Sequence, residues 1–343
     1  MIRIGIICPS EIAFRRFMPA LLKLKEFSFS GIAYASPEEW FGNLTNISEE
    51  QIKNQQSQES QKAKNFVQKY NGIIFKSYLE LIESDIIDAV YIPLPPALHY
   101  KWAKLALEKG KHVFVEKPST CSLLETQELI NLATKNKLAL HENYMFIYHN
   151  QLQALQDIIN SGKIGEIRLY RISFGFPLRE INDFRYNKTL GGGALLDAGG
   201  YTLKYATYLL GDSVHVTAAN VNYITDFEVE MYGSATVVNK DGQVAQLAFG
   251  MDNDYKCEIE AWGSIGTITS SRILTAPAGF IPTYTLKKNQ TINTYKLMED
   301  DAFMKSIQHF YMCINNEHIR KLNYMTIYKQ ESLVDEFIKH SGM

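Results

Sequence analysis

The side chains best suited to chemistry lie in two short motifs. In the first, Val115-Glu116-Lys117-Pro118, a lysine follows an apolar run that is typical of a buried strand. Ligands of open α/β sheets bind outside the carboxyl ends of the strands, so Lys117 could polarise a substrate oxygen or donate to it. The alternative is a surface lysine that ends a strand.

The second motif is LGGGALLDAGGY, residues 190–201. Its consecutive glycines allow a backbone to pass close to a ligand, and a helix then begins on small residues. Asp197 and Tyr201 are four residues apart and share one face of that helix. A neighbouring lysine cation favours ionisation of a phenol, which makes Tyr201 usable as an acid or base. The alternative is a glycine-rich turn for tight packing, with Asp197 as a buried hydrogen-bonding residue.

The N-terminal segment GIICPSEIAFRR joins a strand to a helix that begins near Ile12. A dinucleotide-binding fold carries its glycine fingerprint at this place, yet the loop from Cys8 to Ala13 contains no glycine. Amide N–H groups at the helix start, near Ile12 and Ala13, can still bind a pyrophosphate. The sequence therefore predicts altered binding of a dinucleotide rather than a loss of binding.

Two further strand ends bear on the cofactor. No acidic residue directly follows the second strand to bind a ribose 2′-hydroxyl, and Ser36 permits a 2′-phosphate that Arg15 or Arg16 could neutralise. NADP(H) is therefore favoured, with NAD(H) as the alternative. After the fourth strand, prolines lead into a helix whose first turn holds His99. His99 could contact the cofactor or form structural hydrogen bonds instead.

The composition is that of an ordinary globular protein, with 46% hydrophobic and 21% charged residues and a net charge of -2 over 343 residues. This balance does not indicate a nucleic-acid or membrane surface, and no stretch is apolar enough to span a bilayer. The four cysteines show no CxxC pair and no clustering with histidine, which predicts reduced thiols, a cytoplasmic protein and no metal site. The histidines interpreted as structural are His112, His141, His215, His309, His318 and His340.

The first third of the chain alternates strand-like and helical segments, which favours a parallel, doubly wound sheet. The predicted strands are Met1–Ile7, Phe27–Ala35, Ile73–Phe75, Ile86–Leu94 and Lys111–Val115. The predicted helices are Ala13–Lys23, Ala63–Tyr70, Tyr78–Ile82 and Leu98–Leu107. A polar tract, residues 41–62, carries a capping-box signature at Ser48 and Gln51, so it is expected to be an exposed helical protrusion, with disorder as the alternative.

From about residue 165 the pattern changes to the strands of an open, mostly antiparallel sheet. These strands are Glu166–Phe174, Val214–Tyr223, Glu228–Val238, Gln243–Met251 and Lys256–Trp262. Residues 1–145 are therefore expected to form a dinucleotide-binding domain and residues 146–343 an α+β domain. The helical C-terminus, from about Asp301, could pack back on the first domain.

Taken together, these segments resemble the glucose–fructose oxidoreductase/inositol dehydrogenase (Gfo/Idh/MocA) family along most of the chain. The resemblance rests on residues 91–118, YIPLPPALHYKWAKLALEKGKHVFVEKP, and on GKIGEIRLYRISFGFP, LGGGALLDAGGY and WGSIGTI farther on. It implies an N-terminal Rossmann-type doubly wound parallel sheet and a C-terminal α+β domain with a large open sheet.

The resemblance also implies roles for individual residues. Lys117 matches the catalytic lysine, followed by a cis bond to Pro118, and Asp197 matches the family's acid. Tyr201 stands where many members have histidine, which is similar to the branch of glucose–fructose oxidoreductase, dihydrodiol dehydrogenase and nucleotide-sugar 3-ketoreductases. Tyr201 would act as the proton donor beside Lys117, with Asp197 orienting the pair. Pro96 replaces a usual asparagine, which puts one cofactor contact in doubt.

By the same resemblance, two sets of side chains are expected to line the site. The cofactor-binding set is Cys8, Ser10, Glu11, Ile12, Ala13, Ser36, Leu94, Pro95, His99, Glu116, Lys117 and Asn143. The substrate-binding set, for a sugar or its diphosphate, is Tyr144, His149, Arg185 and Tyr186.

The function expected from this resemblance is an NAD(P)-dependent oxidoreductase that transfers a hydride to or from a sugar, in the first place a ketoreductase of a nucleotide-linked sugar. A free sugar, polyol or trans-dihydrodiol dehydrogenase is one alternative, and a non-catalytic dinucleotide-binding sensor or scaffold is another. Because one face of the second sheet needs cover, a homodimer or homotetramer through that sheet is expected.

Overall fold

The first sheet is parallel throughout and has the strand order β3-β2-β1-β4-β5-β6. The computed structural model describes all residues, Met1–Met343. The strands are β1 Ile2–Ile7, β2 Phe27–Ala33, β3 Ile73–Phe75, β4 Ala89–Ile92, β5 His112–Glu116 and β6 Leu140–Asn143. The order reverses between β1 and β4, and the crevice at such a switch point is where doubly wound folds bind their ligands.

Helices connect these strands, as the alternating pattern predicts. They are α1 Met18–Leu21, α2 Pro37–Phe41, α3 Glu49–Tyr70, α4 Tyr78–Glu83, α5 Pro96–Glu108 and α6 Leu123–Asn136. A wider, π-helical turn, Ala13–Phe17, leads into α1. The predicted doubly wound parallel sheet is confirmed.

The polar tract is helical but not simply exposed. α3 begins with the predicted capping box, in which the Ser48 side chain accepts from the Gln51 N–H. Its inner face buries Ala63 and Phe66, and the same face continues upstream as Gln55 and Glu59, which are 8% and 3% exposed. The expectation of a solvated protrusion is wrong for this face. Gln55 and Glu59 lie on the same face of the helix as Ala63 and Phe66, so the packing of the apolar side chains buries the polar ones as well.

The second sheet has eight strands in the order β14-β13-β12-β11-β7-β10-β9-β8, with one parallel pair, β7 and β10. The strands are β7 Ile167–Gly175, β8 His215–Tyr223, β9 Glu230–Val238, β10 Val244–Gly250, β11 Lys256–Gly263, β12 Thr267–Ser271, β13 Thr283–Lys288 and β14 Thr291–Lys296. The predicted open, mostly antiparallel sheet is confirmed. The β13–β14 hairpin was not predicted, since β14 is exposed along its length and shows no alternation of burial.

Four further helices complete the fold: α7 Asn150–Asn160, α8 Gly200–Leu210, α9 Ala302–Asn315 and α10 Glu317–Ser341. A second π-helical turn, Leu195–Gly199, leads directly into α8. Together the turn and α8 pack on one face of the sheet, against β7, β9 and β10. This face forms the apolar core of the second half of the chain.

The chain divides into two compact units. Residues 1–120, 124–143 and 307–325 form the first, and residues 121–123, 144–306 and 326–343 form the second. A stretch of the helical C-terminus thus belongs to the first unit. None of the helices combines the length and the apolar character needed to cross a membrane.

Candidate active site

The loop after β1 takes a conformation that usually selects glycine. Cys8 has a φ of 86°, and its N–H donates to the Ala33 carbonyl at 3.0 Å. Burial raises the pKa of the Cys8 thiol to about 12, even though the side chain hydrogen-bonds to Tyr78. The thiol is therefore neutral at physiological pH. Cys8 contributes to the turn through its left-handed backbone conformation and its N–H hydrogen bond.

Ser10 starts the helix that follows this loop. Its hydroxyl accepts from the Ala13 N–H at 3.3 Å, and its carbonyl accepts from the Phe14 N–H at 3.0 Å. The Ala13 N–H, expected to be free for a phosphate, is therefore occupied. The first-turn N–H groups of Glu11 and Ile12 remain as donors, and the Glu11 carboxylate turns to Arg15 at 3.2 Å. Donors at a helix start after a left-handed residue fit the pyrophosphate of a dinucleotide.

Ser36, the residue expected to face the 2′-position, is the N-cap of α2. Its hydroxyl donates to Glu38 at 3.0 Å, and its N–H donates to Glu39 at 2.8 Å. The Glu39 carboxylate also accepts from the N–H groups of Tyr78 and Leu79. Two carboxylates therefore lie at the position where the sequence indicated only a hydroxyl.

His99 has no ring nitrogen left for a cofactor. Its Nδ1 lies 2.7 Å from the Pro118 carbonyl oxygen, and its Nε2 lies 2.7 Å from that of Leu94. Burial lowers its pKa to about 4, against the pull of the two carbonyls. Neither ring nitrogen is free for the predicted cofactor contact, and the neutral imidazole donates its single N–H to one of these two carbonyls, as the structural alternative expects.

Glu116 joins three strand ends. Its Oε1 accepts from the Tyr91 hydroxyl at 2.7 Å and from the Asn143 amide at 2.8 Å. Burial raises the pKa of this carboxyl. Its side chain is therefore committed to the sheet rather than to a cofactor. Lys117 follows directly at the carboxyl end of β5, and the Lys117–Pro118 bond is cis as the resemblance implied.

In the second unit, Tyr201 lies at the start of α8 inside an aromatic cluster. Its ring centroid is 5.2 Å from Tyr144, 5.6 Å from Phe146 and 5.2 Å from Phe174. The side chain is 9% exposed, so packing holds the ring in one orientation. Tyr144, expected to line the substrate site, packs edge-on against Tyr201 and is itself 1% exposed.

The glycines before α8 are required because neighbouring atoms leave no room for a side chain. A Cβ on Gly192 would lie 2.4 Å from the Arg185 carbonyl oxygen. A Cβ on Gly193, whose φ is 121°, would lie 2.4 Å from Glu230 Oε1. The Gly193 N–H donates to that same Arg185 carbonyl at 2.9 Å, so the turn and the Arg185 segment form one packed unit.

Asp197 and Arg185 form an ion pair that the sequence analysis did not predict. Arg185 Nε donates to Asp197 at 2.7 Å, and Nη1 donates to Asp183 at 3.0 Å. Burial alone lowers the pKa of Arg185, but the two carboxylates outweigh it and the pKa is raised. Nη2 makes no hydrogen bond within the protein, so this nitrogen can donate to a ligand.

The other two expected substrate residues are buried. His149 is 2% exposed and caps α7, where its Nδ1 accepts from the Gln151 N–H at 3.1 Å. The ring proton therefore sits on Nε2, which has no partner in the protein and needs an acceptor. Tyr186 is 8% exposed and its hydroxyl accepts from the Arg179 N–H at 2.7 Å. This bond ties Tyr186 to the loop, and because the hydroxyl accepts in it, its own O–H proton is left to donate.

One histidine–cysteine cluster also contradicts the sequence analysis. The ligand atoms of His141, His309 and Cys313 all lie within 4.8 Å of one another. His309 and Cys313 are four residues apart on α9, a spacing that places them on one helix face and that the sequence already contained. Their 3.6 Å contact is a thiol–imidazole hydrogen bond, which accounts for the pair without a metal.

Comparisons with known proteins identify the family of this chain. A family model described as "Oxidoreductase family, NAD-binding Rossmann fold" matches residues 28–144, and a GFO/IDH/MocA C-terminal domain model matches residues 152–269. A dTDP-3,4-didehydro-2,6-dideoxy-alpha-D-glucose 3-reductase from Actinomadura kijaniata is 35% identical, over 97% of this chain and 94% of its own length.

Solved structures share the whole architecture. KijD10, a 3-ketoreductase from Actinomadura kijaniata crystallised with NADP and TDP-benzene, is 33% identical with a TM-score of 0.89 and covers 99% of this chain and 98% of its own. The aldose-aldose oxidoreductase from Caulobacter crescentus, 18% identical with a TM-score of 0.82 over 99% of this chain and 97% of its own, shares the fold. The chain belongs to the GFO/IDH/MocA family and is an NAD(P)-dependent oxidoreductase.

Proposed function

We propose that this enzyme reduces a keto group on a nucleotide-linked sugar with NADPH. The similarity to a dTDP-sugar 3-reductase over nearly the whole length of both chains carries this proposal. Lys117 at the end of β5 and Tyr201 at the start of α8 supply the cation and the proton donor that the reaction needs.

In the reductive direction, a bound nicotinamide would supply the hydride to the carbonyl carbon. Tyr201 gives its phenolic proton to the carbonyl oxygen as the ketone becomes an alcohol. Lys117 donates to the same oxygen and stabilises the charge that develops there. Asp197 holds Arg185 beside the helix that carries Tyr201.

The charge around Arg185 supports an assignment of the part of the substrate that it would bind. Asp183 and Asp197 together outweigh the single guanidinium, so this group of three side chains carries a net negative charge. A diphosphate would be repelled here, whereas the free Nη2 can donate to a neutral hydroxyl. We therefore assign Arg185 to the sugar ring rather than to the diphosphate, whereas the His149 ring, 2% exposed, is buried beneath the surface.

For the coenzyme, the NADP bound to KijD10 supports NADP(H). The donors that would hold the pyrophosphate are the N–H groups of Glu11 and Ile12. NAD(H) is the second candidate, because Glu38 and Glu39 place two carboxylates on Ser36, and a carboxylate accepts from a ribose 2′-hydroxyl.

The test uses two substitutions with matched controls. Lys117→Ala and Tyr201→Phe are each expected to lower kcat by about 10²–10³ with NADPH affinity retained. Lys109→Ala removes an exposed lysine, and Tyr205→Phe removes a buried hydroxyl that has no partner, so both should keep kcat. Unchanged turnover in either active-site variant contradicts the assignment.

The substrate class is tested with the wild-type enzyme. A fall in NADPH absorbance should follow addition of a dTDP-linked keto sugar and not of free sugars. Reduction of NADP⁺ on addition of free sugars, polyols or dihydrodiols would instead favour the dehydrogenase alternatives, which include relatives that match 43–52% of this chain. Tight NADPH binding without turnover on any carbonyl substrate would indicate the sensor or scaffold.

We also propose that the second sheet forms a homodimer or homotetramer interface. Its outer face exposes Trp262 and Tyr232, which are 48% and 42% exposed, and Arg171 lies 5.4 Å from the Trp262 ring. Isolated chains rarely leave such aromatics on an uncovered sheet face. A monomer in light scattering at micromolar concentration would contradict this interface.

A further inference from the structure

Strand β9 holds both ends of one helix. Its first residue, Glu230, accepts the Leu195 N–H at 2.9 Å, where the helical segment that continues into α8 begins. Asn239, which directly follows β9, donates to the Leu210 carbonyl at 3.0 Å, where α8 ends. A carboxylate at the N-terminus and an amide donor at the C-terminus each complement the helix dipole.

The N-terminal contact is closely fitted. Glu230 is 5% exposed and forms no salt bridge, so the helix N–H group is its principal partner. Both of its carboxylate oxygens fill the space that a Gly193 side chain would take, at 2.4 and 2.7 Å from the Cβ position. The carboxylate therefore fixes the path of the glycine turn as well as the first turn of the helix.

Only one end of this helix carries chemistry. Asp197 lies two residues after Leu195, and Tyr201 lies one turn farther, whereas the Leu210 end carries no residue of the proposed mechanism. A shift of the first turn would move the Tyr201 phenol relative to the substrate. A shift of the last turn would leave it in place.

We propose that Glu230 is a positioning residue of the reaction. It acts through the helix start, where it sets the orientation of Asp197 and Tyr201, and it does not touch the substrate. The inference rests on the proposed function, since it assigns Tyr201 as the proton donor.

The experiment compares the two ends of the helix. Glu230→Ala is expected to lower kcat about 30- to 100-fold with the NADPH dissociation constant unchanged, because misplacement by about 1 Å costs on the order of 10² in rate. Glu230→Gln keeps an oxygen that can accept the Leu195 N–H, and it should recover kcat to within about fivefold of wild type. Asn239→Ala should lower the melting temperature at least as much, since Asn239 also ties the β9–β10 turn, yet keep kcat within about twofold.

Hydrogen exchange tests the same inference without turnover. Amides at the helix start, residues 195–199, should exchange faster in Glu230→Ala, and amides near Leu210 should exchange faster in Asn239→Ala. If wild type shows no turnover but this exchange pattern holds, the proposed substrate is wrong while the positioning by Glu230 stands. Equal kcat in Glu230→Ala and Asn239→Ala, or unchanged exchange at residues 195–199, overturns the inference.

Discussion

Two loops in this protein have the same local form but different residues. Each leads through a π-helical turn into a helix at a proposed ligand site, the first at Ala13–Phe17 and the second at Leu195–Gly199. The first loop has lost its glycines and places Cys8 at a φ of 86°. The second keeps Gly192 and Gly193.

The difference shows what glycine is needed for. Around Gly192 and Gly193, a carbonyl and a carboxylate occupy the side-chain space, so no other residue fits. At Cys8 only the backbone dihedral is demanding, and a side chain has room beside Tyr78. A left-handed residue other than glycine costs about 1–2 kcal/mol, which a protein can tolerate, whereas overlap with fixed backbone cannot be relieved so locally.

The largest effect is expected at the second loop. Gly193→Ala forces a Cβ to 2.4 Å from the Glu230 carboxylate and should lower kcat by about 100-fold or more, because the helix start must move. Steady-state kinetics with NADPH measures it. Gly211→Ala is the matched control, since Gly211 also has a positive φ, 78°, but nothing lies within 4 Å of its Cβ position. An equal loss of kcat in both variants would mean that the need for glycine comes from the backbone dihedral and not from the overlap of a Cβ with Glu230.

The next effect concerns charge beside that loop. Arg185→Gln removes the guanidinium that pairs with both Asp183 and Asp197, together with the Nη2 donor. We expect kcat/KM for the sugar to fall about 10- to 100-fold, with NADPH affinity retained. Arg168→Gln breaks an exposed pair with Glu166 and serves as the control. A rise in KM for the coenzyme instead would move Arg185 out of the sugar site.

A smaller effect is expected where carboxylates surround Ser36 on the coenzyme side. Glu38→Gln removes an exposed negative charge that would repel a 2′-phosphate, so the NADPH dissociation constant should fall about two- to fivefold, whereas that of NADH should not fall. Fluorescence titration of the reduced coenzymes measures both constants. Glu83→Gln removes an equally exposed charge at the end of α4 and should change neither.

The smallest effect tests the first loop itself. Cys8→Gly should exceed Cys8→Ala in unfolding free energy by about 1 kcal/mol, because only glycine relieves the left-handed dihedral and neither variant keeps the thiol. Urea denaturation measures the difference. If Cys8→Ala were the more stable variant, the contrast between the two loops would not lie in the backbone dihedral.

The fold followed from the sequence because its signals are local. Alternating strands and helices, the Ser48 capping box and the glycine motif each lie within a few residues, and all are found in the structure. The capping box at Ser36 and Glu39 was equally readable from its Ser-x-x-Glu spacing, and so was the spacing of His309 and Cys313.

The features that the sequence did not predict depend on contacts between residues far apart in the chain. Both nitrogens of His99 are taken by carbonyls 5 and 19 residues away, and Glu230 reaches a helix 35 residues before it. Burial of Gln55 and Glu59 follows from the packing of their helix rather than from their own polarity. Such contacts can be identified only when the fold is known, because no short sequence pattern indicates which distant residues will meet.

The Glu39 carboxylate limits how the proposed coenzyme site around Ser36 can be changed. It binds N–H groups at the starts of two helices, through Ser36 on one side and through Tyr78 and Leu79 on the other. A lineage or a designer that alters coenzyme preference can substitute Glu38 freely, because it holds only a hydroxyl. Substitution of Glu39 would remove the acceptor that holds N–H groups at the starts of both α2 and α4. Substitutions that change coenzyme preference are therefore expected at Glu38 rather than at Glu39.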